Sequence, residues 1–158
     1  MSAYGEAPML AELVASGDLP PVEERLPENP DICPVVESIG KYGGTIRRGF
    51  KGVSDKWGPT KMERNNLTAF APLDLSVRAS LAESWEINED ASEWTFNLRK
   101  GTKWSDGSDF TSENFIWYYN YVLLNETLTP TFLSQFATGA AVTPSTWTAP
   151  DDYTVVFS

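Results

Sequence analysis

Residues 81–124 read LAESWEINEDASEWTFNLRKGTKWSDGSDFTSENFIWYYNYVLL. Their apolar residues recur first at every second position and later at every third or fourth. Trp85 and Ile87 alternate with Glu86 and Asn88, which predicts a strand with one apolar and one wet face. Asn88–Ser92 is a polar run suited to a hairpin loop. Trp94, Phe96 and Leu98 alternate with Thr95, Asn97 and Arg99, giving a second two-sided strand that Lys100-Gly101 breaks. Ser105-Asp106-Gly107 is a turn signal, with glycine available for positive φ.

A helix is predicted next. Thr111 can cap free backbone N–H groups, and Glu113 lies in the first turn, where the helix dipole favours negative charge. Phe110, just before the cap, and Phe115, four residues after it, have hydrophobic-staple spacing. Phe115, Tyr118, Tyr119 and Val122 form an apolar stripe; Ile116, Leu123 and Leu124 widen it and predict cover on more than one side. Asn125 is expected as a left-handed stop.

These segments resemble the extracellular solute-binding proteins of family 5, the peptide-, oligopeptide- and nickel-binding receptors of bacterial ABC importers. The residues that carry the resemblance are Leu81–Glu86, Trp94-Thr95-Phe96, Leu98–Gly101, Lys103–Gly107, Phe110-Thr111 and Tyr118. Tyr42–Arg47 is similar to the family's first strand, and Asp151–Phe157 to the strand that follows the helix. Asn114 departs from the acidic residue usual there, which is expected to weaken the reciprocal capping contact. The resemblance spans roughly residues 42–158 and implies an α+β fold. That fold is a small antiparallel sheet packed with helices, part of the N-terminal lobe of a two-lobed periplasmic-binding-protein type II architecture. It further implies capture of a peptide or similar solute outside the cytoplasmic membrane, delivery to ABC permease subunits, and no cofactor. Family members are several times longer, so the chain is expected to be an N-terminal piece whose second lobe follows Ser158; the alternative is a free-standing domain sharing only this module.

Two zones follow. Residues 1–40 form an acidic, proline-rich N-terminal arm, in which Glu6, Glu12, Asp18, Glu23, Glu24, Glu28, Asp31 and Glu37 face one base, Arg25. Ala7–Ala15 is predicted as a short helix ended by Gly17, and Pro20, Pro21, Pro27, Pro30 and Pro34 as an extended path. The arm is expected to lie along the lobe rather than to dock a partner. Residues 41–158 are the lobe portion: a strand after Gly43-Gly44 with edges exposed to aggregation if unpaired, a polar loop over 51–60, a helix over 60–70, a turn at Pro72–Leu75, and a long loop over 127–148 with one helical turn near 131–136. Tyr153, Val155 and Phe157 should add a strand to the sheet of Trp85 and Trp94, backed by the Phe115 helix. In the resembled family the loop after the first strand borders the cleft, so Trp57, with Ser54 and Asp55, is the expected ligand-binding set. Packing of Trp57 on the lobe is the competing reading.

The net charge of −10 over 158 residues argues against nucleic acid and anionic lipid, since few cations are available to meet phosphate. No apolar run approaches the ~20 residues a bilayer requires. The start has no basic n-region, so an extracytoplasmic protein is expected to have lost its export signal. Histidine is absent, and the one cysteine, Cys33, is expected to be partly buried and inert. No nucleophile elbow, phosphate loop or zinc spacing occurs, and the Asp106/Asp109 and Glu83/Glu86 pairs read as solvated surface rather than as a glycosidase pair. A binding protein, not an enzyme, is therefore expected. The other reading is a carbohydrate-binding or enzyme-accessory module. It would show a coplanar exposed row of its six tryptophans, whereas a receptor lobe would bury most of them, Trp85 and Trp94 included.

Overall fold

The computed structural model describes residues 4–47, 49–52, 65–138 and 143–158. Its centre is a four-stranded antiparallel sheet in the order β3-β4-β8-β7, with β3 at Ala82–Ile87, β4 at Trp94–Leu98, β7 at Trp147–Asp151 and β8 at Thr154–Phe157. Register places Trp85 opposite Phe96, Ile87 and Phe157 opposite Trp94, Val155 opposite Phe96, and Trp147 opposite Phe157. Directly opposed residues share a face, so the alternation seen in the sequence assembles one apolar face. Glu86, Thr95, Asn97, Thr148 and Val156 fall on the other. Both outer strands carry an irregularity, β3 between Ala82 and Ser84 and β7 between Thr148 and Asp151, and β7 also contains Pro150.

The predicted helix is α3, Ser112–Tyr118, entered from extended Thr111 (φ −130°, ψ 172°). The Thr111 amide donates to the side-chain oxygen of Asn114 at 3.0 Å. The reciprocal capping contact is thus made by asparagine, because an amide oxygen accepts as a carboxylate does. The staple is also formed, with the rings of Phe110 and Phe115 edge-to-face at 5.6 Å. The Ser112 hydroxyl donates to the Asp151 carbonyl at 2.6 Å and its amide to that of Asp152 at 2.8 Å, tying the helix start to the β7–β8 turn.

Beyond Tyr118 the ladder loosens into a π-turn, Tyr119–Leu123, which rotates Leu123 into the core at 2 % exposure. Leu124 is not covered as expected; it and the rings of Trp117 and Tyr121 are exposed. Asn125 does not take up the left-handed stop. Its side-chain oxygen accepts from the amides of Thr127 and Leu128 at 3.0 and 3.3 Å, opening a turn instead. The core proper joins Leu98, Phe110 and Val155, with Leu67, Leu81, Phe115, Tyr153 and Phe157 packed against it.

Several expectations are corrected. Over the described part of residues 60–70 the chain forms β1, Thr68–Phe70, not helix. It pairs with β2, Val77–Ala79, through the expected turn. Cross-strand pairing and the β-forming Thr68 and Phe70 hold these residues extended. Residues 45–47 and 49–50 form no strand among the described residues, since no neighbouring strand supplies ladder partners, and Ile46 and Phe50 are exposed. The long loop contains a 3₁₀ turn at Ser134–Phe136 and a two-residue ribbon pairing β5, Ala137–Thr138, with β6, Thr143–Pro144, and it ends in β7 two residues earlier than read. Cys33 is exposed.

In the arm, α1 runs Ala11–Ser16 and stops at left-handed Gly17 (φ 81°), as the glycine predicts. A single turn, α2 at Val22–Arg25, interrupts the extended path, and Arg25 forms an ion pair with Glu6 at 2.6 Å. Among the described residues no helix is long and apolar enough to cross a membrane.

Candidate functional site

The apolar sheet face is only half covered. Helix α3 lies over β7 and β8, leaving a hollow bounded by rings that touch one another in sequence. Trp104 meets Phe110 at 5.2 Å, Phe110 meets Phe115, Phe115 meets Phe157 at 6.4 Å, and Phe157 meets Trp147 at 4.7 Å. Trp147 also stacks on Tyr119 at 5.4 Å and meets Phe136 edge-on at 5.3 Å. A cavity of about 380 Å³ lies among Leu67, Trp104, Phe115, Tyr118, Trp147 and Phe157. A larger hollow of about 860 Å³ continues past Phe136 and Phe157 to Phe96 and Trp94.

Several polar groups around this surface are already engaged. Asn114 accepts from the Trp104 indole N–H at 3.1 Å as well as from Thr111. Ser145 donates to the Phe136 carbonyl at 2.6 Å and accepts from the Trp147 indole at 2.9 Å. The Trp94 indole donates to the Ala91 carbonyl at 3.1 Å. What remains on offer is ring face and edge, suited to stacking and apolar burial. Among the described residues it brings together no acid–base pair.

Three of the four carboxylates weighed from sequence are committed elsewhere. Asp106 accepts from the hydroxyl and amide of Ser108 at 2.6 and 3.0 Å, which holds its pKa below the usual carboxylate range. Asp109 pairs with Lys103 at 2.7 Å, and Glu83 accepts from the Asn29 side chain at 2.5 Å. Among the described residues no group of three or more His, Cys, Asp or Glu is placed to hold a metal ion.

The expected ligand-binding residues Trp57, Ser54 and Asp55 lie outside the described residues. The tryptophans are less buried than expected. Trp85 is half-buried, Trp94, Trp104 and Trp117 are 38, 50 and 57 % exposed, and Trp147 is 7 % exposed. The exposed three lie on β4, on the turn before α3 and on α3 itself. Sequence reasoning missed Trp147 as the centre of the aromatic cluster. Its flanks, Thr146 and Thr148-Ala149-Pro150, resemble a loop, and only its partners distant in sequence, Phe157 opposite and Tyr119 and Phe136 around it, make it core. The alternation of Tyr153, Val155 and Phe157 was the available clue that a partner strand should precede them.

Residues 76–158, the whole four-stranded sheet and α3, match the family described as bacterial extracellular solute-binding proteins, family 5 middle. The chain belongs to this family. As a family 5 chain it superposes on a solved oligopeptide-binding protein OppA with a TM-score of 0.87 and 40 % identity, over 99 % of its own length and 24 % of that chain. It superposes on MelB of Agrobacterium fabrum C58, solved in complex with stachyose, with a TM-score of 0.74 and 30 % identity over 100 % of its length and 27 % of that chain. It is also 30 % identical over 148 residues to the periplasmic alpha-galactoside-binding protein of Rhizobium meliloti strain 1021, covering 80 % of this chain and 21 % of that one. The family 5 chain thus spans about a fifth to a quarter of these relatives, and its α+β architecture is that of the corresponding part of their fold.

Proposed function

We propose that this chain forms part of the first lobe of a solute-binding receptor that works outside the cytoplasmic membrane and delivers its solute to the permease of an ABC importer. It acts as a binding protein rather than an enzyme. The observation that carries this reading is the superposition on OppA across nearly the whole chain at 40 % identity. The site chemistry agrees with it, since stacking surfaces without reactive groups suit capture and release. In this scheme two lobes close on the solute by hinge motion and the closed form docks on the permease. Trp57, Ser54 and Asp55 remain the proposed solute contacts.

Peptides are the first proposed solute, because the relative named as an oligopeptide-binding protein has the higher identity. Oligosaccharides are the second. An alpha-galactoside-binding protein and a stachyose complex are among the relatives that match most of the chain, and the half-bare rings of Trp94 and Trp104 suit sugar faces. Calorimetric titration of the receptor with tri- to pentapeptide mixtures and with raffinose-series sugars tests both. Saturable peptide binding that weakens in Trp57→Ala is expected. Saturation by sugars alone would replace the peptide reading, and heat from neither would overturn the receptor reading.

A further inference from the structure

Arg99 is a buried charged side chain at which the lobe and the acidic arm meet. It is 8 % exposed, and among the described residues none of the ion pairs involves it. Its guanidinium instead donates to two backbone carbonyls from distant parts of the chain, Nε to Ser80 and Nη1 to Asn29, each at 2.6 Å. The first bond holds the segment entering β3; the second reaches seventy residues back into the arm. Around it the arm is in register with the lobe. The Glu28 amide donates to the Lys100 carbonyl at 2.9 Å, and a side chain at Gly101 (φ +78°) would point into ordinary contact with the Pro27 and Glu28 backbone. Two weaker ties flank it, Asn29 to Glu83 and Asp31 to Arg78 at 2.7 Å, both at exposed positions.

We propose that Arg99 is a positioning residue that clamps residues 27–31 as a fixed strap across the end of the sheet. A buried guanidinium stays charged and needs acceptors, and here the strap supplies one of them. Without the strap, part of that charge loses its partner. The lobe and arm therefore order each other. Carbonyl acceptors are neutral and the guanidinium is buried, so the clamp is little screened by salt, unlike the Arg78–Asp31 ion pair, whose side chains are 25 and 29 % exposed. Residues 27–31 are on this account part of the lobe, and the arm's acidic charge follows a set path there rather than sweeping solvent.

Amide hydrogen exchange on the whole chain tests this. In Arg99→Lys, which keeps the charge but loses the two-carbonyl fork, the Glu28 amide should exchange roughly tenfold faster or more, while the sheet amides of Phe96 and Val155 keep their rates. In Arg78→Ala, and in the unaltered protein at about 0.5 M salt, Glu28 should stay slow. Glu28 unchanged in Arg99→Lys overturns the clamp. So does equal loss of Glu28 protection in Arg78→Ala or in salt, which would move the latch to the surface pair. Sheet and strap amides speeding up together would make Arg99 a general stability residue and also overturn it.

Discussion

Three turns share one device at the level of single residues. Asp74, Asp90 and Asp106 each accept, through one carboxylate oxygen, from the amide and hydroxyl of the serine two positions on, Ser76, Ser92 and Ser108. The residue between them has positive φ in every case: Leu75 at 59°, Ala91 at 57°, Gly107 at 88°. Only the third position has the glycine that this backbone prefers. Leu75→Gly and Ala91→Gly should each stabilise the fold, by about 0.5–1 kcal/mol, because relief of a left-handed strain of about 1–2 kcal/mol outweighs the added freedom of the unfolded chain; urea unfolding measures it. The serine bonds depress all three aspartate pKa values. A depressed folded-state pKa means stabilisation that is complete above the unfolded value and disappears as pH falls through the folded one. Stability should therefore be level from neutral pH down to about 5 and fall below about 4. In the triple Asp→Asn variant, where the acceptor stays but the charge does not, that acid decline should be shallower. All three turns are legible in the sequence, but only Asp106-Gly107 shows the positive φ in advance; leucine and alanine at left-handed positions go against their own preference.

Elements were legible where two local signals agreed. The β3–β4 hairpin is announced by alternation on both sides of a polar loop, and α3 by a cap, a staple and a stripe together. Because the staple joins the helix start to the core, Phe110→Ala should cost about 3–5 kcal/mol, whereas Trp117→Ala on the bare side of α3 should change stability by no more than about 0.5 kcal/mol; thermal unfolding of the two variants separates them. Elements that depend on a distant partner were not legible. Strand β1 follows a charged run with helical preference, and β7 is hidden by Thr148-Ala149-Pro150; each exists because β2 or β8 lies beside it. The π-turn is likewise a packing result, which aims Leu123 inward at the expense of regular hydrogen bonding.

Across the whole molecule, the apolar face is unevenly filled. Trp147 is enclosed by Tyr119, Phe136 and Phe157, while Trp94, Trp104 and Trp117 face solvent in part. Acrylamide quenching should therefore resolve a protected fluorescence component among accessible ones, and Trp147→Phe should remove the protected one. The hollow beside Trp147 could not be foreseen, because periodicity tells which residues share a face and not how much of that face a seven-residue helix covers.

The outer strands of the sheet have a consequence for how copies of the chain meet. A growing fibril needs a straight rim onto which each newcomer can lay an unbroken row of amide bonds. Here one rim is kinked near Glu83 and flanked by acids, and the other is kinked beside a proline that has no amide to give. Like-charged molecules with two such margins can crowd together without templating one another.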